Sequence, residues 1–244
     1  MLLFLQLYLA HLIGDFLLQP DRIAKNKLKA WALAAHAGIH IAIACVMVNI
    51  GLNRRVVVAV VMLAAVHALF DYAKARFSKD TWLAFTLDQA GHLLAVAVAS
   101  VWLTAANWGD AVSVLRATAE TKPLYLYLCA YVAVVFGGGF FVQRVTQSFL
   151  ERIGDGVAAL KPGLPNAGKY IGWVERFLIL TFVVGRYGEA VGFLLAAKAL
   201  ARYPEIKDDT RGHFAEYFLV GTLTSVGLAL VGGLIVLKVR PFLH

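Results

Sequence analysis

His67-Ala68-Leu69-Phe70-Asp71 lies inside an apolar run that begins at Val56. Ionisable groups inside such a run are costly to place in lipid and usually functional. Three more apolar runs carry pairs at the same i,i+4 spacing: His11/Asp15, His36/His40 and Asp88/His92. On a helix this spacing puts both members of a pair on one face, one turn apart. Five imidazoles and three carboxylates on four helix faces are the ingredients of a metal site.

The composition places these runs in a membrane. Of the 244 residues 60% are hydrophobic and only 16% charged, whereas a soluble domain has about a quarter of its residues charged. Mean hydropathy is +0.72. A span needs roughly 20 apolar residues, and the sequence predicts an all-α, polytopic transmembrane bundle of about eight helices. These fall near 2–19, 31–50, 56–75, 81–105, 123–143, 170–185, 187–202 and 215–237. The sixth and seventh are short and split by Gly185-Arg186-Tyr187-Gly188, so one bent span or a re-entrant pair is the alternative. The first segment lacks a basic leader and a cleavage site and reads as a retained helix.

The net charge of +8 comes mainly from short loops. Lys25, Lys27 and Lys29 follow the first helix, Lys74, Arg76 and Lys79 end the third, and Arg144, Arg152, Lys161 and Lys169 lie between the fifth and sixth. Basic loops stay cytoplasmic, which puts both termini outside, although Arg54 and Arg55 fall on the opposite side. No basic groove interleaved with aromatics is present, which argues against nucleic-acid binding. Cys45 and Cys129 lie within apolar runs and read as packing residues. Trp31, Trp82 and Trp102 read as interface aromatics.

With this topology the polar pairs fall at matched depths. The order is His then Asp in the first and third helices and Asp then His in the antiparallel fourth. His11, His40, His67 and His92 then form an inner layer, about 5 Å deeper than an outer layer of Asp15, His36, Asp71 and Asp88. Imidazole and carboxylate suit a divalent metal, zinc above all, with iron or manganese as alternatives. All eight residues are candidate ligands. One ion held by histidines with aspartates orienting them, or two ions about 3.5–4 Å apart, both fit this layering, and eight candidate ligands, too many for one tetrahedral ion, favour two. The plainer alternative is a set of interhelical hydrogen bonds.

The chain divides into a His/Asp-rich subdomain at 1–106 and a C-terminal subdomain at 107–244, with the Gly- and Pro-containing stretch 144–169 as its longest loop. The C-terminal polar set is Glu175, Arg176, Glu189, Lys198, Arg202 and Glu216. Arg176, Lys198 and Arg202 either pair with the three glutamates as structural ion pairs or bind an anionic substrate group. Gln19, Lys25 and Gln89 are further substrate-binding candidates beside the metal site. Gly137-Gly138-Gly139 and Gly232-Gly233 read as close helix contacts, since no Lys-Ser/Thr follows to make a phosphate loop.

Several motifs resemble a bacterial membrane family catalogued as domain of unknown function 3307. They are His11-x3-Asp15-Phe16-x2-Gln19, Ala24-Lys25-x-Lys27, His36-x3-His40, His67-x3-Asp71-x2-Lys74 and Asp88-Gln89-x2-His92. Gly168-x2-Ile171-Gly172-x2-Glu175-Arg176, Lys198-x3-Arg202 and Glu216-Tyr217-Phe218-Leu219-x-Gly221-Thr222 resemble its C-terminal part. The resemblance implies a multi-pass protein of a bacterial inner membrane and supplies no activity.

On the residues themselves, the leading expectation is a metal-dependent hydrolase acting on a lipid or lipid-linked substrate near the cytoplasmic leaflet. Asp71 or Asp88 would serve as general base. A divalent-metal transporter is the alternative, although transport sites lie at the midplane with polar groups toward both faces. A di-iron oxidase and a structural or sensory metal site are weaker readings.

Overall fold

The computed structural model of the chain describes residues 1–48, 54–105, 122–153, 166–208 and 213–243. All regular structure among them is helical. Five helices are long and apolar enough to cross a membrane: Ala30–Val48, Arg54–Phe77, Trp82–Leu103, Lys122–Gln147 and Phe214–Leu243. A shorter apolar helix spans Leu2–Phe16. The protein is a helical membrane protein. The expected boundary at 106 and the loop residues Gly154, Gly156, Lys161, Pro162, Gly163 and Pro165 lie outside the described residues.

Contacts divide the chain into two compact units, Met1–Val132 with Arg240–His244, and Ala133–Val239. The first unit is built on α1 (Leu2–Phe16), the short α2 (Asp21–Ala24), α3 (Ala30–Val48), α4 (Arg54–Phe77) and α5 (Trp82–Ala105). Helix α1 packs on α3 and α5, α3 on α4, and α4 on α5, so the four long elements close into a ring. Helix α6 (Lys122–Tyr131) packs on α1, and a 3-10 turn at Arg240–Leu243 packs on α6.

Helix α4 shows why this ring forms. Val56, Val60, Ala64, His67 and Asp71 recur at helical spacing and are all buried, whereas Val57, Val58, Val61, Met62 and Leu69 on other faces are exposed and apolar. The polar groups face inward and the hydrocarbon faces outward, the arrangement lipid selects. Away from the polar pairs the bundle is filled by Leu7, Ala44, Val48, Val56, Val60, Val96 and Leu103.

The second unit contains a π-helix (Val132–Gly137) running into α7 (Gly138–Ile153), then α8 (Ala167–Val184), α9 (Gly188–Ala201), α10 (Tyr203–Lys207) and α11 (His213–Val239). The Gly185–Tyr187 turn separates α8 from α9, with Arg186 in the left-handed region at φ 62°. Helix α9 has 14 residues, about 21 Å at 1.5 Å per residue. Helix α11 packs on α7 and α8 around Ile179, Val191, Val226 and Ala229. Gly232 and Gly233 allow close contact: a Cβ would lie 2.5 Å from Val134 and Val183 side chains respectively.

Candidate metal centre

The four ring helices bring all eight N-terminal polar side chains into one buried cluster. The imidazoles form a contiguous group, with His40–His67, His67–His92 and His11–His92 ring centroids 4.0, 4.3 and 4.9 Å apart. His36 stands beside His40 and His67, at 4.5 and 5.0 Å.

The tightest convergence is at Asp15, His36, His40 and His67. Asp15 Oδ1 is 3.1, 3.2 and 3.3 Å from the Nε2 atoms of His36, His40 and His67. His36 Nε2 is 3.3 Å from His40 Nε2 and 3.1 Å from His67 Nε2. Bonds of about 2.0–2.1 Å to a tetrahedral ion put neighbouring ligand atoms roughly 3.3–3.4 Å apart. These five separations are therefore close to the edges of a coordination tetrahedron. Hydrogen bonding alone satisfies the group poorly. A ring nitrogen carries one proton or one lone pair, yet His36 Nε2 faces Asp15, Gln19, His40 and His67 within 3.3 Å.

A second group comprises Asp71, Asp88 and His92, with ligand atoms within 4.8 Å of one another. His92 Nδ1 lies 2.8 Å from the Asp88 carbonyl oxygen. The carbonyl only accepts, so Nδ1 carries the proton and Nε2 keeps its lone pair. That Nε2 is buried and has no hydrogen-bond partner. Asp71 also stands 3.4 Å from His36 and His67 Nε2, and its Oδ1 is buried without a partner.

Two lysines reach this second group. Lys27, from the segment after α2, places Nζ 2.7 Å from Asp71 Oδ2, a charge contact out of hydrogen-bond alignment. Lys74, in the last turn of α4, donates to Asp88 Oδ2 at 2.9 Å. Among the described residues Asp15 touches no ammonium; beyond its imidazoles it accepts from Gln89 Nε2 at 3.3 Å. Gln89 also donates to Asp88 at 3.4 Å and faces His11 Nε2 at 3.4 Å. Gln19 lies 3.0 Å from His36 Nε2. Lys25, one of the substrate-binding candidates, is exposed.

A small cavity lies against the inner imidazoles. His11, His40, His67 and His92 line one part, and Leu7, Ala44, Val60, Leu63 and Val96 the apolar remainder. It has room for about one water.

The C-terminal candidates lie in the second unit. Arg176, 3% exposed, forms no ion pair among the described residues. It donates from Nε to the Val134 and Val135 carbonyls at 3.0 and 3.1 Å, from Nη2 to Val135 O at 2.7 Å, and from Nη1 to Ser225 Oγ at 3.3 Å. Both carbonyls belong to the π-helical Val132–Gly137 segment. Gly138, Gly139 and Gly172 surround the guanidinium; a Cβ at Gly139 would lie 2.9 Å from Nη2. Lys198 pairs with Glu175 at 2.6 Å, and Arg202 with Glu205 at 3.0 Å on the exposed surface. Glu189 and Glu216, expected in structural pairs, are exposed and form no ion pair among the described residues. The nearer Glu175 and Glu205 take the two cations instead.

Residues 3–119 match the model of a family described as "Protein of unknown function (DUF3307)". The matched span contains α1 to α5 and every member of the cluster, and the resemblance seen in the N-terminal motifs is thereby shown. The C-terminal motifs lie beyond it. No curated protein and no solved structure matches the chain significantly.

Lys27, Lys74 and Gly14 belong to the site beyond the eight paired residues. Lys74 carries a sequence signal, three residues after Asp71 on the same helix. Lys27 stands in the Ala24-Lys25-x-Lys27 motif, but its contact with Asp71 depends on how the loop folds back and has no local signal. Gly14 precedes Asp15 and leaves room for the His40 ring.

Proposed function

We infer that the first unit is a metal-dependent hydrolase acting on a lipid or lipid-linked substrate at the cytoplasmic leaflet of a bacterial inner membrane. The near-tetrahedral convergence of Asp15 Oδ1 with His36, His40 and His67 Nε2 carries the metal part of this reading, and the water-sized cavity against His40 and His67 supports the hydrolytic part. Zinc fits the donor set best, with iron and manganese next. One ion would be held there, because among the described residues Asp15 is the cluster carboxylate with no ammonium contact. A divalent ion supplies Lewis acidity and ionises water near neutral pH. The cavity beside His40 and His67 admits that water. Asp71, with its unpartnered Oδ1, is the general base, and Asp88 holds Lys74 and His92. Lys25 and Gln19 stand at the rim facing anionic headgroups.

In this reading α1, α8 and α9 complete eight spans, and the basic loops leave both termini outside. Hydrolysis is favoured over transport because Leu7, Val48, Val56, Val96 and Leu103 pack above the cluster, where a transport path needs polar ligands. A structural or sensory ion is the second reading, favoured by the four protein ligands that already complete a tetrahedron.

The test combines elemental analysis of the purified full chain with incubation in vesicles of bacterial phospholipid, followed by mass spectrometry of released headgroups and acyl chains. The expected result is one bound ion and lipid cleavage abolished by chelation. Bound ion with a saturated coordination sphere by X-ray absorption and no lipid turnover moves the site to the sensory reading. No bound ion ends both.

A further inference from the structure

Asp71, Asp88 and His92 have the makings of a second ion site, yet two ammonium groups stand on them. Lys27 Nζ is 2.7 Å from Asp71 and Lys74 Nζ is 2.9 Å from Asp88. The carboxylates are 1% and 6% exposed, so each needs a counter-charge. The two lysines arrive from different elements, the segment after α2 and the end of α4, and bring two positive charges, the charge of one divalent ion. His92 Nε2, 2% exposed as a residue, keeps a lone pair with nothing to receive it.

We propose that Asp71, Asp88 and His92 form a second cation site whose charge is supplied by the Lys27 and Lys74 ammoniums in place of a second metal ion. This rests on the metal reading of the Asp15 group given above. The whole cluster then carries three carboxylates against two ammoniums, one net negative charge. A divalent ion at Asp15 turns that to one net positive charge. A second divalent ion added beside both lysines would bury three positive charges in excess, which the low-dielectric interior disfavours. The lysines thus restrict the centre to one ion. They also place two ammonium donors beside it, where a two-ion centre would have its second metal to hold a substrate oxyanion. That geometry suits an anionic substrate group such as a phosphoester or carboxylate.

The test is ion stoichiometry on the purified full chain, titrated with zinc and read by elemental analysis after desalting and by calorimetry. Wild type is expected to bind one zinc, and the double variant Lys27→Met, Lys74→Met two, with Asp71→Asn in that background returning the count to one. A folded double variant that still binds a single ion overturns the proposal and leaves the Asp15 centre standing. Wild type binding two ions overturns it as well. Wild type and double variant both binding none refutes the metal reading itself. If the double variant does not fold, Lys27→Met alone decides: a second, weaker zinc site supports the proposal, and strict single occupancy overturns it.

Discussion

Gly14 lies flat against the His40 imidazole: a Cβ added at Gly14 would stand 2.5 Å from His40 Cε1 and 2.7 Å from Nε2. The contact brings α3 close to α1, so that His40 Nε2 reaches Asp15 Oδ1, one residue further along, at 3.2 Å. Gly14→Ala forces the ring away from the carboxylate. Overpacking of this kind costs about 1–3 kcal/mol, and zinc affinity is expected to fall at least tenfold. Thermal unfolding and a chelator-competition titration measure the two effects. Unchanged zinc affinity would show that the ring position does not matter to the site.

His36→Ala, His40→Ala and His67→Ala each remove one vertex of the near-tetrahedron. Each is expected to lose stoichiometric metal by elemental analysis. Lys198→Met and Arg202→Met, whose partners are Glu175 and Glu205, are expected to retain it. Full metal in His36→Ala and His67→Ala would remove them from the ligand set.

Ion binding to the folded state alone is linked to stability. At free zinc one hundred times the dissociation constant the linkage is about 2.7 kcal/mol, so chelation is expected to lower the unfolding temperature of the wild type. His67→Ala is expected to show no such shift, and differential scanning fluorimetry in detergent compares them.

Arg176 donates to the Val134 and Val135 carbonyls of the π-helical segment. Arg176→Met strands buried acceptors, at about 1–3 kcal/mol for each carbonyl left unsatisfied. Lower thermal stability with unchanged zinc stoichiometry is expected. Loss of zinc in this variant would contradict a local role.

The four i,i+4 pairs were legible because helical spacing is a local property: two residues four apart share a face whatever the rest of the chain does. Their antiparallel order, His-Asp in α1 and α4 and Asp-His in α5, follows from chain direction in the same way. Glu189 and Glu216 are exposed without an ion pair among the described residues, because ion pairing is decided by which neighbours the packing supplies. Arg176 showed only its charge in sequence. Its partners, the Val134 and Val135 carbonyls, lie about forty residues away and are set by helix packing.

Sequence alone therefore determined a membrane-embedded helical protein with a histidine and aspartate cluster in its N-terminal half, because apolar run length and helical period are written residue by residue. Tertiary structure alone decided that Asp15 meets three imidazoles while Lys27 and Lys74 neutralise Asp71 and Asp88. Those contacts join segments up to about fifty residues apart, and their distances depend on ring closure, on loop path and on the space left by a single glycine.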